Sequence, residues 1–281
     1  MHNETFYTNK NIKETKLALI SDIHFNDKYN RKIFTKIVNQ INKNKPNYIV
    51  IAGDILDTSN TTNLDDLQKF LETLSNITTT LAVLGNHDEK AGSMHNWISE
   101  KNEKLIKVLN NVNNLYFLND STYSKDNITF YGFNLSYDYY EIQHETYESF
   151  ISEIKDKKCN INKNDYNITL IHTPANIYKF IKNNKKHNLN NSDLILSGHM
   201  HNGCLPFIIS YPINKIFKSS RGLIAPSRKL FPKYAQGRIY ERDGYVYQGI
   251  MKLSHSTKAF NKLDFIFEKK VQFITIKPYK K

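Results

Sequence analysis

The sequence predicts an α/β fold in which a parallel sheet packs against a second sheet, and three observations carry that prediction. Short apolar runs alternate with amphipathic stretches between Lys16 and Asp88, the βαβαβ order that yields a parallel sheet with right-handed crossovers. Runs such as Tyr48 to Ala52 (YIVIA) are apolar throughout, as strands covered on both faces are. From Ile239 to Ile276, short aromatic and β-branched runs are broken by turn signals such as Arg242-Asp243-Gly244, a pattern of antiparallel strands.

Taken in order, residues 1–15 form a polar N-terminal segment without the apolar stretch of an export signal. Lys16 to Ser21 (KLALIS) reads as a buried strand that delivers Asp22 and His24 on the loop beyond its carboxyl end. Lys32 to Asn42 carries Ile33, Phe34, Ile37, Val38 and Ile41 at the spacing of an amphipathic helix, and Pro46 stops it. Tyr48 to Ala52 is a strand ending at Gly53-Asp54-Ile55-Leu56-Asp57. A helix over Leu64 to Leu74 leads to the strand Thr80 to Leu84, which ends at Gly85-Asn86-His87-Asp88. A helix over Trp97 to Asn110 precedes strands at Leu115 to Leu118 and Ile128 to Phe133. Between Asn134 and Asn167 the chain is polar, with a helical pattern near Tyr147 to Ile154. Ile168 to Ile171 is a strand ending at His172, and Leu194 to Leu196 leads into Gly198-His199-Met200-His201. Sites in parallel sheets form beyond the carboxyl ends of the strands, so these motifs are expected to meet along one edge.

With 281 residues, 40% of them hydrophobic, and only 7 prolines and 10 glycines, the chain is expected to fold as one ordered domain over 1–281. The 39 basic and 27 acidic residues leave a formal charge of +12, an excess that suits phosphorylated substrates, nucleic acid or anionic membranes. Its Lys and Asn are scattered, as in Lys182-Asn183-Asn184-Lys185-Lys186, so solvated faces account for it and no specific nucleic acid is expected. Cys159 and Cys204 match neither a zinc-ribbon spacing nor a disulfide scaffold. No run approaches the roughly 18 apolar residues of a spanning helix, and a cytoplasmic location is expected. Leu205 to Ile216 (LPFIISYPINKI), with Lys215, Lys218 and Arg221 beside it, reads either as a cap lining the cleft or as a peripheral contact with the inner face of a membrane.

The motifs supply carboxylate, imidazole and amide groups in quantity. Together such groups can hold two divalent cations about 3.5–4 Å apart, the arrangement that clamps both oxygens in a displacement at phosphorus. DxH, GDxxD, GNHD, a lone His and GHxH, in that order, resemble the calcineurin-like metallophosphoesterase superfamily, from Asp22 to about Tyr247. The resemblance implies a four-layer α/β/β/α sandwich of two packed mixed sheets with helices outside. It implies that Asp22, His24 and His201 bind one metal, that Asn86, His172 and His199 bind another, and that Asp54 bridges them. Imidazole nitrogen suits Mn, Fe, Zn or Co, with Mn favoured. In such sites a metal-bridging hydroxide attacks phosphorus. His87, not itself a ligand, meets the developing charge or protonates the leaving oxygen, and Asp57 is its partner. Asp88 is placed either as hydrogen-bonding support for the site or as a loop residue. His2, His95, His144, His187 and His255 read as surface histidines, with His95 near enough to GNHD to touch the rim.

Further along, Arg221 to Pro226 and Leu230 to Gly237 resemble a bacterial branch containing membrane-associated phosphodiesterases and a lipid-linked UDP-sugar pyrophosphatase. Members of that branch often read GHTHGGQ where this chain reads GHMHNGC. Arg221, Arg228 and Lys229 are candidates for a phosphate clamp, and Tyr234 could stack on a base or sugar. The expected function is metal-dependent hydrolysis of phosphodiesters, with a phosphorylated small molecule or lipid-linked compound as substrate. A nuclease of the same superfamily and a non-catalytic binding module on this fold are the alternatives.

Overall fold

A computed structural model describes residues 3–26, 31–57, 63–90, 96–155, 157, 162–184 and 186–201, then 212, 215, 216, 222, 230, 232, 235, 237–241, 244–248 and 271–279. In chain order the first half holds β1 (Asn3–Thr8), β2 (Thr15–Ile20), α1 (Arg31–Asn44), β3 (Tyr48–Ala52), α2 (Asp65–Ile77), β4 (Thr80–Val83), α3 (Asn86–Lys90), α4 (Asn96–Asn111) and β5 (Leu115–Phe117). After it come β6 (Thr122–Lys125), β7 (Ile128–Phe133), a π-helix (Asp138–Ile142), α5 (Tyr147–Ile154), β8 (Tyr166–Ile171), α6 (Ile177–Asn183) and a 3₁₀ turn (Asn188–Asn191). The described elements close with β9 (Leu194–Ser197), β10 (Gly237–Glu241), β11 (Gly244–Gln248) and β12 (Gln272–Pro278).

Two six-stranded mixed sheets result, ordered β1-β12-β2-β3-β4-β5 and β10-β11-β9-β8-β7-β6. Parallel pairing runs through β2, β3, β4 and β5 in one and through β7, β8, β9 and β11 in the other. Neighbouring residues of a strand face opposite ways, and β3 makes the layering plain. Ile49 and Ile51 pack with Ile37 and Ile41 of α1, Leu71 and Leu74 of α2 and Leu105 and Leu109 of α4. Val50 and Ala52 pack instead with Phe130, Ile168, Leu170 and Leu196 of the second sheet. On the far side Tyr131, Phe133, Ile171 and Ile195 meet Phe150 and Ile154 of α5 and Ile177 and Phe180 of α6. These are the expected four layers, and uniformly apolar runs are what strands buried on both faces require.

The helices start and pack for local reasons. Asp65 and Asp66 sit in the first turn of α2, where carboxylates complement the helix dipole. Thr146 caps α5, its side chain accepting from Ser149 N at 3.2 Å. Phe34 of α1 and Phe70 of α2 stack with ring centroids 3.8 Å apart. Between β6 and β7, Asp126 and Asn127 have φ of 53° and 61°, as a two-residue hairpin turn demands.

Strand boundaries follow the sequence closely, with three differences. The polar segment before residue 16 contains β1, which pairs parallel with β12. The C-terminal strands divide between the sheets. β10 and β11 form the expected antiparallel hairpin in the second sheet, whereas β12 lies in the first, antiparallel to β2. Finally, the π-helix lies in the polar stretch between Asn134 and Asn167, and β6 and α6 lie where no element is expected. No helix among the described residues is long and apolar enough to cross a membrane. Most of the 205–216 stretch, Cys159, Cys204, Lys229, Tyr234, His2, His95 and His255 lie outside the described residues.

Candidate functional site

The loops that leave β2, β3, β4, β8 and β9 all emerge at one sheet edge, and backbone hydrogen bonds fasten the first two together. Asp22 N donates to Gly53 O at 3.0 Å, His24 N to Asp54 O at 2.9 Å, Phe25 N to Ile55 O at 2.8 Å and Asp57 N to Phe25 O at 2.8 Å. Asp88 joins the third loop to the second. Its carboxylate accepts from Ile55 N (3.1 Å), Leu56 N (2.8 Å) and Gly85 N (2.9 Å). Asp88 is therefore the fastener between these loops.

Close approach dictates the glycine at 53. Its φ is +82°, and a Cβ there would lie 2.5 Å from His172 Nδ1. With no side chain in the way, His172 Nδ1 donates to Ala52 O at 2.7 Å, which turns Nε2 inward.

Donor atoms converge in two groups that share one residue. Asp22, His24, Asp54 and His201 form the first and Asp54, His172 and His199 the second, with the donor atoms of each group all within 4.8 Å of one another. Asn86 belongs beside the second group, its Oδ1 lying 3.3 Å from His172 Nε2 and 3.0 Å from His199 Nδ1. Asp54 is the shared residue. Oδ1 accepts from His87 N at 2.9 Å, while Oδ2 lies 3.5 Å from His24 Nε2 and 3.3 Å from His172 Nε2. That oxygen is buried and accepts no well-formed hydrogen bond among the described residues.

The arrangement fits a metal. His24 Nε2 and His201 Nε2 stand 3.3 Å apart, close enough that, with their lone pairs turned to it, the two imidazoles can ligate one cation side by side. A buried carboxylate oxygen left over among imidazole nitrogens calls for such a cation. Nitrogen and oxygen donors in this mixture suit divalent transition metals.

Electrostatics point the same way. Burial raises Asp22 to about 6, against the nearby His172. Burial opposes ionisation of Asp54 too, but His172, His87 and His24 hold its carboxyl well below the usual range. His24 is pushed down to about 3 by burial and by His87. For His172 burial is overcome by the Asp54 carboxylate, and its pKa rises to about 9. Positive charge is wanted at the centre of the cluster, and in the protein alone one imidazole has to supply it.

His87 is half-buried at the rim, its ring edge-on to His24 with centroids 4.5 Å apart. Asp57 is buried at the end of the second loop. Arg221 and Arg228 lie outside the described residues. His144 is exposed, as expected of a surface histidine, but His187 is half-buried and structural: Nδ1 accepts from Leu189 N at 3.1 Å and caps the 3₁₀ turn.

Two neighbours of the cluster carry no motif in the sequence. Glu145 Oε1 lies 3.1 Å from His199 Nε2, with both side chains buried. Tyr140, on the π-helix, packs its ring against His199 and His172 at centroid distances of 5.6 and 6.1 Å.

Fold and donor groups together define an α/β protein with a carboxylate and histidine metal site at one edge of two stacked sheets. A sequence model of the calcineurin-like phosphoesterase family matches residues 15–203, and the chain belongs to that family. It is similar to an uncharacterized metallophosphoesterase of Campylobacter jejuni, 24% identical over 229 residues that cover 80% of this chain and 54% of that protein. An uncharacterized metallophosphoesterase of Helicobacter pylori is 25% identical over 249 residues, covering 87% and 58%. The chain spans about half the length of the curated relatives it matches. Among solved structures, a phosphopantetheinyl hydrolase from Mycobacterium tuberculosis aligns with a TM-score of 0.48 at 11% identity, over 85% of this chain and 90% of that one.

Proposed function

We propose that this chain hydrolyses phosphoester bonds, diesters in preference to monoesters, with two divalent transition-metal ions, manganese foremost. The observation that supports this reading is the pair of donor groups sharing Asp54. Asp22, His24 and His201 would hold one ion, Asn86, His172 and His199 the other, and the two oxygens of Asp54 allow it to serve both. When bound, such ions bring the pKa of coordinated water toward 7 and offset charge on the phosphoryl oxygens.

The rest falls to the chain itself. Ser21 Oγ and His199 N both donate to the Asp22 carboxylate, and Ala52 O sets the His172 ring. His87, half-buried beside His24, can donate a proton to a leaving oxygen or meet phosphoryl charge, with Asp57 to orient it. Arg221 and Arg228 are assigned to clamp the phosphate from the segment after His201. A phosphorylated small molecule or a lipid-linked diester is the substrate class, and the preference for diesters rests on the resemblance of residues 221–237 to the phosphodiesterase branch.

The test is an assay of metal-free protein on a chromogenic phosphodiester and the matching monoester, with and without Mn²⁺, beside His87→Ala and Asp54→Asn. Turnover restored by Mn²⁺ and lost in both folded variants supports the proposal. Turnover of neither ester with any of Mn²⁺, Zn²⁺, Co²⁺ or Fe²⁺ sinks it in favour of a binding module.

A further inference from the structure

We infer that Glu145 is a positioning residue for the second donor group: its carboxylate fixes the tautomer and the orientation of His199, so that Nδ1 is the nitrogen offered to an ion. The inference rests on the two-metal reading above.

An imidazole carries one proton when neutral, and the partner of one nitrogen decides which nitrogen is left with a lone pair. His199 has a choice to make. Nδ1 lies 3.0 Å from Asn86 Oδ1, and Nε2 lies 3.1 Å from Glu145 Oε1. Were Nδ1 protonated it would donate to the Asn86 carbonyl, and both groups would be spent on each other. A carboxylate on Nε2 draws the proton to that side and leaves both Nδ1 and Asn86 Oδ1 with lone pairs facing the cluster. His172 has a neutral carbonyl, Ala52 O, in the equivalent place. A carboxylate also makes the imidazole it faces a stronger base and a better ligand.

Several contacts hold Glu145 to this task. Its side chain is only 8% exposed, and a carboxylate is not buried cheaply without partners. Thr173, directly after His172, donates through Oγ1 to the same Oε1 at 2.9 Å. The backbone is unusual too: His144 and Glu145 are consecutive left-handed residues with φ of 50° and 52°, each costing roughly 1–2 kcal/mol. That conformation is over-determined by its surroundings. Glu145 N donates to Tyr139 O at 2.9 Å, and Asn176 Nδ2 reaches Glu145 O at 2.7 Å and Tyr139 Oη at 3.2 Å. The π-helix just before it is a distortion often found at functional sites. Strain kept at one point beside a cluster of donors is a mark of function more than of folding.

The experiment is calorimetric titration of Mn²⁺ into metal-free wild type, Glu145→Gln and Glu145→Ala, with the visible spectrum of the Co²⁺-loaded proteins as a second readout. Glu145→Ala is expected to weaken one of two bound ions by about 10- to 100-fold and to leave the other unchanged. Glu145→Gln keeps an acceptor without the charge, so it should recover part of the loss and a near-native cobalt spectrum. Wild-type affinity for both ions in Glu145→Ala, with an unchanged spectrum, overturns the role of Glu145 and leaves the two-metal reading standing. A wild type that binds no metal overturns both. If Glu145→Ala does not fold, Glu145→Gln decides: a selective loss of affinity for one ion supports the assignment, and unchanged affinity for both overturns it.

Discussion

The residues gathered at the sheet edge keep backbone conformations that most side chains avoid. Asp22, His24, Asp54, His199 and His201 have φ of 53°, 47°, 51°, 71° and 44°, in the left-handed region that disfavours a Cβ. The loops thus hold their donors within reach of one another at the expense of stability. His201 allows a clean measurement, since glycine relieves the strain and alanine does not. His201→Gly should be more stable than His201→Ala by about 1 kcal/mol in the metal-free protein, while both lose affinity for the ion of the first group. Equal stabilities by urea denaturation would show that no strain is stored there. Asp88 offers a second test. An amide cannot accept three backbone N–H bonds without turning a donor toward one of them, so Asp88→Asn should cost roughly 2–4 kcal/mol and loosen two loops at once. A variant with wild-type stability and metal affinity would contradict its role as the fastener. Nearby, burial raises Glu89 to about 7 against the help of Lys157. A carboxyl whose folded pKa lies above its unfolded value of 4.5 costs nothing below that pH, and costs stability increasingly as pH rises through about 7. Glu89→Gln should thus gain roughly 2 kcal/mol at pH 8 and nothing at pH 4. A gain of equal size at both pH values would rule out this cause.

At the scale of elements, what could be read in advance was what is written in local pattern. Tyr48–Ala52, Ile128–Phe133 and Tyr147–Ile154 have the limits their apolar spacing predicts, and the donor motifs follow strands as expected. β1 escapes because its sequence, NETFYT, is mostly polar and its partner is β12, at the other end of the chain. A pairing so distant leaves no local trace. Yet Phe6 is fully buried among Leu17, Leu19 and Ile274, so β1 belongs to the layer between the sheets. Phe6→Ala should destabilise the fold by about 3–5 kcal/mol, read from the urea midpoint at constant m-value. A loss under about 1 kcal/mol would mean that β1 contributes little to the fold. Glu145 escaped for a different reason. It lies in a polar stretch, and only the π-helix and the paired left-handed residues bring it to His199. Neither feature follows from apolar spacing, so the donors were legible while the group orienting one of them was not.

For the whole molecule the consequence is a site that the fold supports at a cost and a ligand can repay. Both sheets end their parallel strands at the same edge, and there the buried Asp22, Asp54, Asp57 and Asp88 lie together. Four carboxyl groups in so small a volume repel and are poorly hydrated, and the rise of His172 to about 9 is how the protein alone offsets them. Divalent cations do so more fully, and a ligand that binds only the folded state stabilises it in proportion to the logarithm of its concentration over Kd. Mn²⁺ at 100 times its Kd should therefore add about 2.7 kcal/mol, seen as a rise in Tm that a chelator reverses. Asp54→Asn separates this linkage from a general salt effect. By removing the shared carboxylate, the ion-pair partner of His172, it should lower the stability of the metal-free protein and abolish the rise on adding Mn²⁺. An equal rise in wild type and Asp54→Asn, or one produced as well by Na⁺ at matched ionic strength, would place the ion elsewhere on the surface and remove the cluster from the account.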